Sequence, residues 1–195
     1  MKTFKQTIEK PRLEIRPDEL AENPRHFSNL GYFLTKDSKH ISPDEWQAPQ
    51  IQEIMVETAK RVENQEEHIE QMAKQIREET DEEVVAIYPI AKYEHSGVTY
   101  KLGNFSGFDH SQNGFYIITE QSRKKITEKD FEQTIKAELE EYNKWANRET
   151  WEFVLYDENG RFEDQKGGYY YYEDIRADLP EEWKNERLED YISLD

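Results

Sequence analysis

The stretch Val84–Thr119 holds most of the consecutive apolar and β-branched residues of a chain that is otherwise very polar. Two runs within it, VVAIYPIAKY and GFYIITE, are short, apolar and bounded by turn residues, which is typical of buried strands. An acid-rich helical pattern precedes the stretch, and a second acidic block follows it. We therefore expect Val84–Thr119 to be the scaffold that holds the acidic segments.

Short strands bounded by turn residues are predicted on both sides of this scaffold. They lie at Arg12–Arg16, Asn29–Thr35, Trp151–Tyr156 and Tyr169–Tyr172. Ser42-Pro43-Asp44-Glu45 has the spacing of a capping box and predicts the start of a helix. Asp178 is predicted to cap a last short helix that contains Trp183 and Leu188.

The longest helical pattern runs from Pro49 to about Thr80. Its heptad seam consists of Ile51, Met55, Thr58, Val62, Gln65, Ile69, Met72 and Ile76. Three roles fit this pattern: a helix packed on the sheet, a coiled coil that forms a homodimer, and a helix that docks on a partner. A second helix is predicted over about residues 127–147, with Thr127 as its N-cap.

These patterns predict an α+β fold, in which small antiparallel sheets pack with a long amphipathic helix (about 49–80) and a second helix (about 127–147). The length of 195 residues fits a single domain, 1–195, or two lobes over 1–126 and 127–195. Although 35% of the residues are charged, the 12 Tyr, 9 Phe and 4 Trp residues supply the apolar area of a folded core.

The net charge of −17 is concentrated in two segments. Residues 42–83 carry 13 acidic and 4 basic side chains, and residues 138–195 carry 18 acidic and 7 basic side chains. Duplex DNA has one negative charge per roughly 1.7 Å, so a net charge of −17 matches roughly 29 Å of duplex. This field opposes direct binding of nucleic acid and favours a protein partner with a basic groove. A general contribution to solubility is the alternative.

Two groups of carboxylates are the candidate partner-binding residues. The first group precedes the first core strand and comprises Glu78, Glu79, Asp81, Glu82 and Glu83. The second group comprises Asp157, Glu158, Glu163, Asp164, Glu173 and Asp174. Acids at a helix C-terminus oppose the helix dipole, so local stability does not explain the first group. A solvated loop and a partner-binding patch both stay open for it.

Two turns in the scaffold, His95-Ser96 and Asp109-His110, hold residue types that are used in catalysis. There is no G-x-S-x-G elbow, and the five histidines lack metal-site spacing. Neither a P-loop nor a dinucleotide fingerprint occurs in the sequence. We therefore expect no enzyme activity, no metal and no cofactor. A hydrolase or nuclease that uses His95, Asp109 and His110 is the alternative.

The sequence has no cysteine, and it has no apolar run near the roughly 20 residues that a membrane helix needs. Disulfides and thiolate metal sites are excluded. The segment MKTFKQTIEKPRLEI has no apolar region of a signal peptide. These features predict a cytoplasmic protein without a membrane partner.

Several short motifs occur in a defined order along the chain. They are Glu22-Asn23-Pro24-Arg25, Asn29-Leu30-Gly31, Tyr93-Glu94-His95-Ser96-Gly97, Phe108-Asp109, Gly114-Phe115, Glu141-Tyr142-Asn143-Lys144-Trp145, Trp151-Glu152-Phe153-Val154 and Asp157-Glu158-Asn159-Gly160. In this combination the chain resembles a group of phage- and plasmid-borne acidic accessory proteins of Gram-positive bacteria. It lacks the cysteines of that group, and Gly167-Gly168-Tyr169-Tyr170 replaces a Ser-Cys-Trp-Gly-like segment. The resemblance implies an anti-CRISPR or anti-restriction role in the host bacterial cytoplasm, and it supplies no catalytic residues.

Charge and resemblance together predict an acidic inhibitor of a host DNA-targeting defence nuclease, either a CRISPR effector or a restriction enzyme. Such an inhibitor would act as a DNA mimic that occupies the basic DNA-binding surface of the nuclease. One alternative is an allosteric or assembly-blocking inhibitor that docks through its long helix. Another alternative is a structural or regulatory phage component.

Overall fold

The computed structural model describes residues 11–37, 41–103, 110–123 and 130–193. Helices and strands are mixed, and the strands form two antiparallel sheets, which confirms the predicted α+β class. Contacts divide the chain into two compact units, one of Asn23–Asn143 and one of Met1–Glu22 with Lys144–Asp195. Chain order alone does not delimit these units, because the first and last segments of the sequence group together.

The strands, in chain order, are β1 (Arg12–Pro17), β2 (Tyr32–Thr35), β3 (Val84–Glu94), β4 (Val98–Leu102), β5 (His110–Thr119), β6 (Trp151–Tyr156) and β7 (Phe162–Tyr169). The α-helices are α1 (Pro49–Ala59), α2 (Gln65–Glu79), α3 (Glu120–Arg123) and α4 (Phe131–Ala146). Short 3-10 helices cover Pro24–His26, Tyr172–Ala177 and Leu188–Tyr191. Within the described residues, no helix is both long enough and apolar enough to cross a membrane.

The predicted scaffold Val84–Thr119 supplies three strands, β3, β4 and β5, of the four-stranded sheet in the Asn23–Asn143 unit. The strand order is β2-β5-β3-β4, with VVAIYPIAKY in β3 and most of GFYIITE in β5. Ile90, Phe115 and Ile117 are completely buried. Both strand predictions for this stretch are therefore confirmed.

The single long helix predicted over about residues 49–80 is not confirmed, because α1 and α2 take its place. Lys60 ends the first helix, and Asn64 begins the second. The side-chain oxygen of Asn64 accepts a hydrogen bond from the Glu67 amide at 2.9 Å. The Asn64 side chain supplies a hydrogen-bond acceptor to the first turn of α2. The chain therefore starts a separate helix here instead of continuing α1.

Most of the predicted seam packs inside its own unit. The core cluster there contains Ile51, Met55, Met72 and Ile76 from the seam, together with Leu34, Phe115 and Ile117 from the sheet. Packing on the sheet is the first of the three roles that the seam pattern allows. Homodimer formation or partner docking through these same side chains would require this core to open.

His68 on α2 is a buried polar residue that joins three elements of this unit. Its Nε2 atom lies 2.9 Å from the Met55 carbonyl oxygen and 3.0 Å from the Thr58 hydroxyl, both on α1. Its ring meets the Phe115 ring of β5 edge-on, with 5.0 Å between the centroids. Burial lowers the pKa of His68 below its ordinary value of 6.5. The folded unit therefore holds this imidazole neutral.

We expect His68 to make the protein less stable in mild acid. The unfolded chain takes up a proton at His68 below pH 6.5, whereas the folded chain resists it, so stability falls as the pH drops through that value. The free energy of unfolding by urea should fall by about 1 kcal/mol more in the wild type than in His68→Gln between about pH 7.5 and about pH 5.5. Equal losses in the two proteins would contradict this role.

Ser42-Pro43-Asp44-Glu45 forms a turn and not the predicted helix start, since α1 begins at Pro49. The Ser42 hydroxyl accepts a hydrogen bond from the Thr35 amide at 2.8 Å. The Asp44 carboxylate accepts one from the Phe33 amide at 2.6 Å. These side chains cover the outer edge of β2, which is an edge strand of the sheet. Because they are engaged with a strand, they do not cap a helix.

The second predicted helix, over about residues 127–147, is α4, and its existence is confirmed. Its first turn is capped by Asp130, whose side-chain oxygen accepts a hydrogen bond from the Gln133 amide at 3.1 Å. Thr127, the predicted cap, lies outside the described residues. The helical period predicts a buried face of Phe131, Ile135, Leu139, Tyr142 and Trp145 or Ala146. Ile135, Leu139 and Tyr142 are buried, whereas Phe131 and Trp145 are only partly buried and Ala146 is exposed.

The unit formed by Met1–Glu22 and Lys144–Asp195 contains the sheet β1-β6-β7. β1 pairs with β6 in a register that places Ile15 opposite Phe153, and both side chains are buried. The strands predicted at Arg12–Arg16 and Trp151–Tyr156 are therefore confirmed.

The strand predicted at Tyr169–Tyr172 is wrong, because β7 ends at Tyr169 and a 3-10 helix begins at Tyr172. The Tyr169 side chain is buried, and its hydroxyl donates to the Asp178 carboxylate at 2.9 Å. The Lys166 ammonium lies 2.9 Å from the same carboxylate. Asp178 is thus occupied by side chains of β7, and the predicted last helix is replaced by a turn and the 3-10 helix Leu188–Tyr191.

Asp18 after β1 fixes the end of β7, and this contact requires a glycine at position 167. The Asp18 carboxylate accepts hydrogen bonds from the Leu20 amide at 2.9 Å and the Gly168 amide at 2.8 Å. A Cβ atom on Gly167 would lie 2.2 Å from an Asp18 carboxylate oxygen. Asp18 is 9% exposed, so it has little room to move away.

We expect Gly167→Ala to lower the free energy of unfolding by about 1–3 kcal/mol, because it displaces Asp18 from its two amides. A double-mutant cycle with Asp18→Ala measures the cause, since the clash is absent when the carboxylate is removed. The cost of Gly167→Ala should then shrink in the Asp18→Ala background. Strict additivity in chemical denaturation would show that the clash does not carry the effect.

Candidate functional site

The first group of candidate carboxylates lies at the end of α2 and in the turn that leads to β3. Glu78, Glu79 and Asp81 are exposed, with the Lys74 ammonium 3.8 Å from Glu78. Glu82 is only partly exposed, and it accepts a hydrogen bond from the Tyr32 hydroxyl at 3.1 Å. Burial, together with the Glu82 carboxylate, raises the pKa of Tyr32 to about 12.

Glu82 therefore links the turn after α2 to the edge strand β2 through the Tyr32 hydroxyl. Glu83 is exposed, but it lies 3.2 Å from the Arg77 guanidinium, which offsets its charge. The structure keeps this first group together while leaving only part of it free for a partner. The members that it leaves accessible are Glu78, which lies 3.8 Å from the Lys74 ammonium, Glu79, which accepts a hydrogen bond from the Gln75 side chain, and Asp81.

A groove between α1 and α2 extends this acidic surface. It has a volume of about 390 Å³ and includes Glu79 at one side. The opposite side carries Glu53 and Glu57 of α1, with Arg61 nearby. The Lys60 ammonium is 2.5 Å from Glu57 and lowers the pKa of that carboxyl. The groove thus offers a concave, polar surface of mainly negative charge.

The second group of candidate carboxylates begins in the turn between β6 and β7. Asp157 shapes this turn, because its carboxylate accepts the amides of Asn159 and Arg161, each at 2.8 Å. These backbone hydrogen bonds, that from Arg161 first, lower the pKa of Asp157. Glu158 at the tip of the turn is exposed. Asp157 is thus mainly a structural residue, whereas Glu158 is available for binding.

The other members of the second group lie on β7 and on the 3-10 helix that follows it. Glu163, Asp164, Glu173 and Asp174 are all exposed, as is most of β7. The Asp164 carboxylate accepts only the neighbouring Gln165 amide, at 2.8 Å. Among the residues that the structure describes, no Lys or Arg forms an ion pair with any member of the second group.

Further carboxylates extend this second surface towards the end of the chain. Residues 157–190 contain 12 acidic and 5 basic side chains. The additional exposed acids are Asp178, Glu181, Glu182, Glu186, Glu189 and Asp190, of which Asp178 pairs with Lys166 and Glu181 with Lys184. Between them, Trp183 and Tyr191 pack edge to face, with 5.5 Å between the ring centroids. We call the exposed carboxylates of residues 157–190 the C-terminal acidic surface.

Of the residues proposed for the alternative hydrolase or nuclease, the structure describes only the side chain of His95. His95 is exposed in the turn between β3 and β4, with its ring 6.4 Å from that of Tyr93. Asp109 and the side chain of His110 lie outside the described residues. Over the ranges that are described, no group of three His, Asp or Glu side chains could hold a metal ion.

The sequence patterns do not reveal a buried ionic cluster around Arg25, although Arg25, Asn29 and Gly31 belong to two of the motifs. Arg25 is 1% exposed, and its guanidinium lies 2.5 Å from Asp44 and 2.7 Å from Glu138. It also donates to the Gly31 carbonyl at 2.8 Å. The Tyr116 hydroxyl donates to the same Glu138 carboxylate. Burial opposes the charge, but both carboxylates hold the pKa of Arg25 above its ordinary value.

This cluster explains why β2 is shorter than the strand predicted over Asn29–Thr35. The Asn29 side chain accepts from Arg25 at 2.9 Å and donates to the Phe27 carbonyl at 2.8 Å. The Leu30 amide donates to Glu138 at 2.8 Å. These residues are therefore bound to the cluster, and strand pairing starts only at Tyr32.

Comparison with protein-family models, curated proteins and solved structures finds no match for the chain. The resemblance to mobile-element accessory proteins therefore stays a prediction from the motifs alone. Function has to be inferred from the surfaces described above.

Proposed function

We propose that this protein is a mobile-element-encoded inhibitor of a host DNA-targeting defence nuclease, either a CRISPR effector or a restriction enzyme. Its acidic surfaces would occupy the basic DNA-binding surface of the nuclease and exclude the duplex. The observation that carries this proposal is the C-terminal acidic surface. Its predicted members other than Asp157 are exposed and form no ion pairs among the described residues. The motif resemblance supplies the biological context.

The charge of the C-terminal acidic surface is suited to a DNA-binding groove. Residues 157–190 have 12 acidic and 5 basic side chains, a net charge that corresponds to about 12 Å of duplex. Carboxylates that face water without a cation repel one another. Lysine and arginine side chains of a DNA-binding groove would relieve that repulsion when the protein binds. Such a groove is also a site where DNA competes directly.

The first group of carboxylates provides a second negative surface, in the Asn23–Asn143 unit. Glu78, Glu79 and Asp81 are exposed there, and the α1–α2 groove continues the negative charge. Glu82 and Glu83 contribute less, because Tyr32 and Arg77 already engage them. We therefore assign the main contact to the C-terminal acidic surface and a supporting contact to this group.

An inhibition assay with competing DNA tests the proposal. The purified protein is added to a panel of CRISPR effectors and restriction enzymes from Gram-positive hosts, and cleavage of labelled duplex is followed. A DNA mimic should lose inhibition when excess unlabelled duplex is added, and its binding should weaken steeply with salt because screening shortens the range of attraction. Inhibition that withstands excess duplex would instead indicate an allosteric or assembly-blocking inhibitor.

The same preparation tests the enzymatic alternative. The protein alone is incubated with DNA, RNA and nucleotides in the presence of divalent metal ions. Cleavage that disappears in His95→Ala would replace the inhibitor proposal by a hydrolase or nuclease. We expect no cleavage under these conditions.

A further inference from the structure

We propose that His26, Phe27 and Trp46 form an aromatic anchor that binds an arginine-bearing segment of the protein partner. This inference rests on the proposed function and adds the non-acidic part of the interface, together with the chemistry of the group it contacts. All three belong to the Asn23–Asn143 unit: His26 ends the 3-10 helix Pro24–His26, Phe27 follows it directly, and Trp46 lies in the turn before α1.

The aromatic rings of this anchor are exposed, although large aromatic side chains are usually buried in the folded protein. Trp46 is 60% exposed and Phe27 is 57% exposed. The rings of His26 and Trp46 meet edge to face, with 5.4 Å between their centroids, so the two turns present one joined surface. Exposed aromatic residues that adjoin one another are typical of protein-binding surfaces, and Trp is enriched among residues that dominate binding.

The buried Arg25 cluster holds both turns in place beneath the anchor. Arg25 directly precedes His26, and its partner Asp44 lies two residues before Trp46. The Gln47 side chain donates to the Arg25 carbonyl at 2.9 Å, which ties the turns together a second time. Asn29 donates to the Phe27 carbonyl at 2.8 Å. Because the backbone under the rings is fixed before binding, little conformational entropy is lost on contact.

The charges around the anchor favour a cationic partner. The Arg25 guanidinium is buried and engaged by Asp44 and Glu138, so it presents no free positive charge. Glu45, next to Trp46, is exposed. Residues 23–143 have a net charge of −9. An arginine guanidinium can stack on an indole face while its charge is met by neighbouring carboxylates.

A second copy of this chain is a poor occupant of the anchor. Each copy has a net charge of −17, so two copies repel one another on approach. An acidic or uncharged partner would leave the surrounding negative charge unmatched. A basic, arginine-bearing segment satisfies both the aromatic and the electrostatic requirement, and it is a usual component of DNA-binding grooves.

The test uses the full chain and a fluorescein-labelled nona-arginine peptide as the probe, with fluorescence anisotropy as the readout. Trp46→Ala should weaken peptide binding about 5- to 30-fold, and Trp46→Phe should weaken it less, since Phe attracts cations less strongly than Trp. Phe162→Ala is the matched control, because Phe162 is 62% exposed and belongs to the other unit. It should change the affinity by no more than about twofold.

Several results would overturn the anchor. They are no binding of nona-arginine by the wild type, unchanged binding by Trp46→Ala, or an equal loss in Phe162→Ala. Sedimentation of a wild-type dimer that dissociates in Trp46→Ala would identify a second copy as the occupant instead. Thermal unfolding of each variant shows that it is folded, and Trp46→Gln replaces Trp46→Ala if that variant is not.

Failure of the anchor and failure of the proposed function give different results. If a nuclease is inhibited in a DNA-competitive manner and Trp46→Ala inhibits equally well, the anchor fails and the function stands. If nona-arginine binds through Trp46 but no nuclease of the panel is inhibited, the anchor stands and the function fails.

Discussion

Arg25→Met is expected to lower the free energy of unfolding by about 3–5 kcal/mol, the largest effect on stability that we predict for a single substitution. The substitution removes the cation from a site where Asp44 is 0% exposed and Glu138 has only 12% of its side chain exposed. Two carboxylates would then be buried without a counter-charge. They would have to bind protons or draw water into the core, and both responses destabilise the folded unit.

A surface arginine provides the matched control for this measurement. Arg77→Met also removes an arginine from an ion pair, but the side chains of Arg77 and Glu83 are 50% and 63% exposed. Exposed pairs contribute about 0–1 kcal/mol, so urea denaturation should show a small change. Arg25→Lys should recover little stability, because an ammonium cannot bridge Asp44, Glu138 and the Gly31 carbonyl as the guanidinium does. Equal effects of Arg25→Met and Arg77→Met would refute the structural role of the cluster.

Removing three charges from the C-terminal acidic surface is expected to have the largest effect on binding. The variant Glu158→Gln, Glu163→Gln, Asp174→Asn changes exposed side chains that form no ion pairs among the described residues, so the fold should be retained. We expect its affinity for the inhibited nuclease to fall about 10- to 100-fold, or about 1.4–2.7 kcal/mol. Its salt dependence should also become shallower, because fewer charges are matched on binding.

Two further triple variants separate location from net charge. Glu78→Gln, Glu79→Gln, Asp81→Asn makes the same change in charge on the first group and should have a smaller effect. The other triple variant, Glu63→Gln, Glu66→Gln, Glu70→Gln, removes three negative charges from exposed positions around the start of α2. It should change the affinity by less than about threefold. If all three variants lose affinity equally, only the total charge matters, and no defined contact surface exists.

The strands of the scaffold could be predicted because local features of the sequence are sufficient to determine them. VVAIYPIAKY and GFYIITE are apolar enough to be buried wherever they lie, and turn residues mark their ends. Ile135, Leu139 and Tyr142 likewise follow from helical spacing alone. In these elements, local preference and tertiary packing favour the same structure.

The predictions that failed concern side chains with two possible uses. Ser42 and Glu45 have the spacing of a capping box. In the structure, however, Ser42 and Asp44 bind the amides of Thr35 and Phe33 at the edge of β2. Asn64 falls inside a regular apolar repeat, yet it caps a new helix. Hydrophobic periodicity does not record such hydrogen bonds, so it predicted one helix where the chain forms two.

The candidate binding residues also fall into two classes, those whose surroundings the sequence predicts and those whose surroundings depend on distant residues. Exposure of Glu158 in its turn, Glu163 on β7 and Asp174 in a 3-10 helix follows from their charge, which the sequence reveals. The engagement of Glu82 depends on Tyr32, 50 residues away in the chain. The Arg25 cluster joins Arg25 to Glu138 across 113 residues. A single sequence does not indicate pairings of this kind, because each needs the sheet to be in place first.

The pairing of β1 with β6 has a consequence for the order in which the protein is made. Arg16 and Glu152, which face each other across these strands, are 136 residues apart. At about 5–20 residues per second, a ribosome would add β6 about 7–27 s after β1. The residues of the Asn23–Asn143 unit are all made before that moment, whereas β1 has no partner strand until β6 has been added. In the nascent chain, β1 therefore pairs only after the four strands of the other sheet have been made.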